Sequence, residues 1–338
     1  MARSAKDGAP PGVTGNLLSS VTPAESKLAD APFGQALLQL GELNSRVVAL
    51  TADLGKYTDV DLFARRFPER FFQMGMAEQN MIGVAAGLSR TGFIPFATTY
   101  CVFATRRAYD FIAIAVALGT ANVKIIAGLP GLTTGYGGTH QGIEDLALMR
   151  VVPNLVVIDP CDATELSQAV PALAAFDGPV YMRLLRGKVP VVLDPHTYKF
   201  ELGKAKLLQD GKDVALISTG LMTGRALEAA KLLAEDSISA AVLHVGTLKP
   251  FDRDSVLSLV QRVKNVVVAE NHVVSGGLAS AVADAIADAG VSVCLKRVGI
   301  PDIFCESGSV PYLQKRYHMN AQDIAASARV LAGFKQVS

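Results

Sequence analysis

Glu78 is the residue in this chain best placed for chemistry. It stands in Gln73-Met-Gly-Met-Ala-Glu78-Gln-Asn-Met81, where an apolar run ends, the chain turns on Gly75 and a helix begins. Met81, Ile82, Ala85 and Leu88 recur at three- and four-residue spacing, which predicts an amphipathic helix from about Ala77 to Ser89. Glu78 then lies in the first turn, beside backbone N–H groups that have no intrahelical partner. A carboxylate there either complements the helix dipole and nothing more, or is offered to a ligand. Asp53 ends an earlier apolar strand, and Tyr100 and Phe103 follow a later one, so all four fall on the rim where open α/β sheets bind ligands. Either aromatic alone would read as core packing. Two acids and two aromatics on one rim make a slot for a flat heterocycle.

A second group follows. The loop Gly128-Leu-Pro-Gly-Leu-Thr-Thr-Gly-Tyr-Gly-Gly-Thr-His140 holds five glycines, so its backbone can approach a ligand closely. It lacks the Gly-Lys-Ser/Thr of a phosphate-binding P-loop. His140, between Thr139 and Gln141, is expected to enter the next helix, as a cap, a packing residue or a catalyst. Arg183 and Arg186 bracket the end of a strand and suit an anionic substrate or a surface carboxylate equally well. Glu270-Asn271-His272, before Ser275-Gly276-Gly277, reads as a tight strand-to-helix turn without a catalytic role.

These residues are positioned by alternating strands and helices. Strands are expected at 46–51, 71–72, 93–98, 123–127, 155–158 and 180–184. Helices are expected at 31–42, 61–66, 77–89, 103–118, 143–149 and 162–176, the last opened by an Asp162-x-x-Glu165 capping box. Apolar strands alternating with amphipathic helices predict a parallel-type sheet covered on both faces. Pro190, Pro195, Gly187 and Gly203 interrupt the rhythm, which places a linker at 188–203 between domains at 29–187 and 204–338. The second domain repeats the α/β pattern, with strands at 214–217, 240–243, 265–269 and 293–298 and helices at 224–234, 254–260 and 277–289. The segment from Pro311 to Ser338 is expected to be helical. Residues 1–28, rich in Ala, Gly, Pro and Ser, read as a loose arm.

Composition narrows the function classes. Lys plus Arg is 32 against 31 for Asp plus Glu, a net charge of +1, which gives no basic footprint for nucleic acid or an anionic membrane. Four cysteines without a C-x-x-C, and no ligand-like pairing with the five histidines, argue against a zinc site and fit a reducing compartment. The N-terminus has no apolar signal-peptide core, and the longest apolar run, Phe111 to Leu118, is too short to span a bilayer. The expectation is a soluble, cytoplasmic protein.

Thr51-Ala-Asp53-Leu, Gly75-Met-Ala-Glu78-Gln-Asn and Gly138-Thr-His140-Gln-Gly-Ile-Glu144-Asp-Leu, in that order and followed by Arg186, resemble transketolase. Residues 30 to 330 resemble its pyrimidine-binding and C-terminal domains. The resemblance implies a thiamine diphosphate site with Mg²⁺, and transfer of a two-carbon ketol unit from a ketose, such as a sugar phosphate, to an aldose. By the same resemblance, Glu78 matches the glutamate that hydrogen-bonds N1′ of the aminopyrimidine. Tyr100 and Phe103 match aromatics around that ring, and Asp53 and Leu54 match residues beside the cofactor. His140 and Arg186 match substrate-contacting positions. Three positions depart from the family. Gly128 replaces a histidine that contacts the substrate phosphate, Tyr136 replaces an aspartate that contacts a ketose hydroxyl, and Arg106 stands where a third cofactor-side aromatic is expected.

The chain also contains no Gly-Asp-Gly, the family's diphosphate- and Mg²⁺-binding motif. The resemblance therefore implies one subunit of a split transketolase, paired with a Gly-Asp-Gly-bearing N-terminal subunit as an α2β2 assembly. Two other readings are the β subunit of a 2-oxoacid dehydrogenase E1 component and a non-catalytic homologue that only binds a partner.

Overall fold

The computed structural model describes residues 27–333. All but the last two residues of the N-terminal arm, and residues 334–338 of the expected C-terminal helix, lie outside the described residues. The chain forms two mainly parallel sheets flanked by helices. The larger has seven strands, in the spatial order Thr247–Lys249, Val156–Ile158, Val180–Leu184, Lys124–Gly128, Ile94–Tyr100, Val47–Thr51 and Phe71–Gln73, and only Thr247–Lys249 is antiparallel to its neighbour. Its central strands are buried end to end, as expected where helices cover both faces. The smaller sheet runs Cys294–Ile300, Asn265–Val273, Val214–Ser218, Ala240–His244 and Lys206–Gln209, the last antiparallel.

After Val47–Thr51 the chain moves to one side, to Phe71–Gln73. After Ile94–Tyr100 it moves to the other, to Lys124–Gly128. The carboxyl ends of Val47–Thr51 and Ile94–Tyr100 therefore flank a topological switch point, where two loops diverge and leave a crevice.

One apolar core packs the helices Glu78–Arg90, Cys101–Arg107 and Asp145–Arg150 onto one face of the large sheet and continues into the second unit through Ala215, Ile217, Leu243, Val268 and Val282. A second core, around Phe33, Leu37, Phe63, Phe96 and Leu166, fills the opposite face. The two units thus share a core, and Thr247–Lys249 crosses from the second to finish the edge of the first sheet.

Four short strands escape the sequence reading: Leu28–Asp30, Lys188–Pro190, Lys206–Gln209 and Thr247–Lys249. Each is three or four residues long and pairs with a segment distant in sequence, so no local periodicity marks it. Lys188–Pro190 pairs antiparallel with Leu28–Asp30, and Val192 and Leu193 donate their N–H groups to Asp162, so the segment after the first domain is docked. Asp162 caps its helix by accepting from Glu165 N, as expected. The reciprocal half of the box is missing, because the Glu165 carboxylate accepts from Cys161 N and points to His244 and Tyr198 instead.

The helix expected over 103–118 begins at Cys101 and breaks at Ala108, and Ile112–Leu118 winds as a π-helix. Such widened turns cluster near functional sites. The helix after the glycine-rich loop starts at Asp145, so His140 stays in the loop. Gly131 N bonds Gly142 O, which holds residues just past His140 in a bridge and out of helical geometry.

Candidate functional site

Tyr100 and Gly128 end large-sheet strands, and Glu78, Asp53, Leu54, Phe103 and Arg186 lie just past the carboxyl ends of such strands, on the rim that holds the switch point. Gln73 builds the approach to Glu78. Its Oε1 accepts from Asp53 N (2.9 Å) and from Gly75 N (3.1 Å), joining the turn after one strand to the turn that leads into the helix. Asp53 and Gly75 both adopt positive φ, 59° and 69°, so each turn is tight. Glu78 is the first residue of Glu78–Arg90, and its side chain is 2% exposed.

A buried carboxylate needs a partner. Here it is Arg107, whose Nη1 donates to Glu78 Oε1 at 2.9 Å. Arg107 Cζ also lies 4.1 Å from the centroid of the Phe103 ring, within cation–π range. Nothing in the residue pattern singled out Arg107. It becomes visible only when the helix Cys101–Arg107 is laid beside Glu78–Arg90.

The rim is aromatic. Tyr100 and Phe103 rings are 5.7 Å apart, and they pack with Leu54, Val102 and Leu129 in a small apolar cluster separate from the main cores. The His140 ring stands edge-on to Phe103 at 5.4 Å and to Tyr100 at 6.3 Å, with Tyr136 5.3 Å away on another side. Thr139 Oγ1 lies 2.9 Å from His140 Nδ1. Burial lowers the pKa of His140, and the nearby Arg107 cation lowers it further, so the neutral imidazole is favoured near neutral pH. Burial pushes the Tyr100 phenol up to about 12, against the pull of the Arg186 charge. The absence of a side chain at Gly128 has a packing reason, since a Cβ there would come within 3.3 Å of the Tyr100 ring.

Arg186 lies over the Tyr57 ring at 5.8 Å, and its Nε is buried without a hydrogen-bond partner among the described residues. Beside it, Asp59 accepts from Gly187 N at 2.8 Å. Arg183, the other arginine at this strand end, faces inward. It is 1% exposed and bonds Asp145 and Asp159, Asn271 O and Gly142 O.

Arg106 turns away from Glu78. Its Nη1 donates to Gly138 O (2.7 Å), it pairs with Glu144, and its guanidinium lies 5.7 Å from the Phe304 ring. Phe304 belongs to a segment of the second unit that closes over the glycine-rich loop. Gly308 N bonds Gly135 O at 3.1 Å, and a Cβ on Gly135 or Gly137 would collide with Gly308 O or Ser307 Oγ. The loop's glycines therefore admit another stretch of the same chain, a role that composition alone could not distinguish from ligand contact. Asn271 holds the loop from below, accepting from Leu132 N and donating to Pro130 O, while Glu270 accepts from the first N–H groups of Leu278–Asp288.

Away from the rim, Cys161, Glu165 and His244 lie close enough to share a metal ion, and all are buried. Their atoms are already engaged. His244 Nε2 meets Glu165 Oε2 (2.8 Å), His244 Nδ1 meets Thr223 Oγ1 (2.8 Å), and Tyr198 OH donates to Glu165 Oε1 (2.7 Å). The cluster staples the first unit to the second. No helix among the described residues is long and apolar enough to cross a membrane.

Two linked parallel α/β units, with a buried glutamate and an aromatic rim at the first unit's switch point, describe a cofactor-binding domain followed by a smaller companion. Residues 29–191 match the transketolase pyrimidine-binding domain, and residues 203–324 match the transketolase C-terminal domain. The chain belongs to the transketolase family. It is 52% identical to an uncharacterized transketolase family protein of Sinorhizobium fredii, over 94% of this chain and 92% of that one. It is 43% identical to a 6-deoxy-6-sulfo-D-fructose transketolase subunit of a Clostridium species, over 86% and 90%. Among solved structures it is similar to a split gene transketolase in the form of an inactive beta4 tetramer, with 44% identity, a TM-score of 0.83, and coverage of 90% of this chain and 98% of that one.

Proposed function

We propose that this chain is the pyrimidine-side subunit of a split transketolase that uses thiamine diphosphate and Mg²⁺. The observation that carries the reading is the Glu78 carboxylate, buried at a helix start, with one flat guanidinium, that of Arg107, lying on both it and the face of Phe103. That pairing suits an aminopyrimidine, with a ring nitrogen on the carboxylate and a ring face on the aromatic. Arg186 Nε, on the same rim and without a hydrogen-bond partner among the described residues, suits an anionic group on the substrate.

When bound, the cofactor supplies an electron sink for the carbanion left by cleavage of the ketose. The chain's own residues do the rest on this side. Glu78 shares a proton with N1′ of the aminopyrimidine. Tyr100, Phe103 and Leu54 exclude water around the ring, and Asp53 frames the turn beside it. His140, kept neutral by its surroundings, accepts or donates a hydrogen bond at a substrate hydroxyl, with Tyr136 alongside. Arg186 holds the anionic end of a ketose carrying a phosphate or, as in the substrate named for the Clostridium relative, a sulfonate.

The diphosphate and Mg²⁺ would be held by a Gly-Asp-Gly-bearing partner in an α2β2 assembly. The split-gene structure supports this, and so do Met76, Phe111, Ile114 and Leu118, which expose apolar surface from 41% to 80% near the Glu78 helix. Calorimetry with thiamine diphosphate and Mg²⁺ tests the reading, first on this chain alone and then on the chain co-expressed with its partner. Binding in the pair only is expected. Tight binding and ketose turnover by the isolated chain would refute it.

A further inference from the structure

Glu78 already has a flat cationic partner from its own chain. The Arg107 guanidinium donates to Glu78 Oε1 at 2.9 Å and lies 4.1 Å from the Phe103 centroid. One planar group thus makes both contacts that the proposed site offers an aminopyrimidine, an N–H on the carboxylate and a face on the ring. We propose that Arg107 is a built-in stand-in for the cofactor's pyrimidine, closing the slot on Glu78 until the heterocycle displaces it. The inference rests on the proposed function above.

Physical reasons favour such an arrangement. Without a partner, a carboxylate 2% exposed would be left as an uncompensated buried charge. Arg107 supplies the compensation at modest commitment. Its side chain is 47% exposed, and it is the last residue of Cys101–Arg107, just before the break at Ala108. The half-exposed guanidinium can rotate toward water by releasing its hydrogen bond to Glu78 and its place on the Phe103 ring. Arg106, one residue earlier, is tied to Gly138 O and Glu144 and has no such freedom. A lysine could offer the charge but not the plate.

The test measures thiamine diphosphate affinity by calorimetry on the assembled complex with Mg²⁺, for wild type, Arg107→Gln and Arg107→Lys. If Arg107 competes for the slot, Arg107→Gln tightens binding about two- to fivefold, the scale of a half-exposed ion pair. Arg107→Lys, which keeps the charge and loses the stacking plane, falls between. Affinity that is unchanged or weaker in both variants overturns the stand-in and makes Arg107 a residue that stays to position Glu78. A wild-type complex that binds no cofactor would instead refute the functional reading itself. The two failures are therefore distinguishable.

Discussion

Arg183 sits under the glycine-rich loop between two buried aspartates, and the structure says they are not equivalent. Asp145 accepts from both Arg183 Nε and Nη2 and from Tyr181 OH, while Asp159 meets only Nη1, at 3.3 Å. Burial alone would raise Asp145, but the charge and hydrogen bonds of Arg183 outweigh it and hold the carboxyl below its ordinary value. For Asp159 burial wins, and its pKa is pushed up to about 6 from 3.8. A raised carboxyl pKa means that the folded state binds more protons than the unfolded state between those values. The resulting penalty is absent below 3.8 and complete above about 6. The difference corresponds to about 3 kcal/mol at most.

Two isosteric substitutions should therefore diverge at pH 7. Asp145→Asn removes the main charge partner of a fully buried arginine and turns an amide N–H₂ toward its donors, at a cost of about 3–5 kcal/mol. Asp159→Asn removes a charge that burial disfavours, and should range from neutral to about 3 kcal/mol stabilising, fading as the pH falls below 6. Urea unfolding of the full chain reads both as shifts of midpoint at constant slope. If Asp159→Asn costs as much as Asp145→Asn, or Asp145→Asn costs less than about 1 kcal/mol, the account of this triad is wrong.

The His244–Glu165 staple carries a pH signature. Glu165 raises His244 despite burial and is itself held low, so the histidine's contribution is full below 6.5 and lost as pH rises through its raised value. The glutamate's contribution is present above 4.5 and lost as pH falls through its lowered value. The stability gap between wild type and His244→Gln should peak between about 4.5 and 6.5, and a gap flat from pH 4 to 9 would remove the ion pair from the explanation. Gly131→Ala should destabilise by more than about 1 kcal/mol, since its φ is 54° and a Cβ would stand 2.3 Å from Asn271 atoms. Gly87→Ala, in a helix with nothing within 4 Å of the new methyl, should instead stabilise by about 0.5–1 kcal/mol, so equal effects would dismiss the steric argument.

The alternation of strands and helices was legible because the central large-sheet strands are continuous buried runs and the major helices carry a 3.6-residue apolar stripe. The same local signals placed Glu78, Asp53, Tyr100 and Phe103 at strand ends, since a strand's end and a helix's start are written in adjacent residues. Chain order also foretold that these ends would share a rim. What lay beyond local signals is long-range pairing. Thr247–Lys249 joins Val156–Ile158 across about ninety residues, and the 302–309 segment meets the glycine-rich loop across more than 160. Loop closure over such separations leaves no periodicity in sequence. The partner of Glu78 was hidden for the same reason. Arg107 lies 29 residues away on another helix, and only the packing of those two helices, with a break at Ala108, brings its guanidinium onto the carboxylate. Residue types set which charges had to be buried or paired, and tertiary packing chose the pairs, because a buried charge takes its partner from whatever the fold brings within about 3 Å.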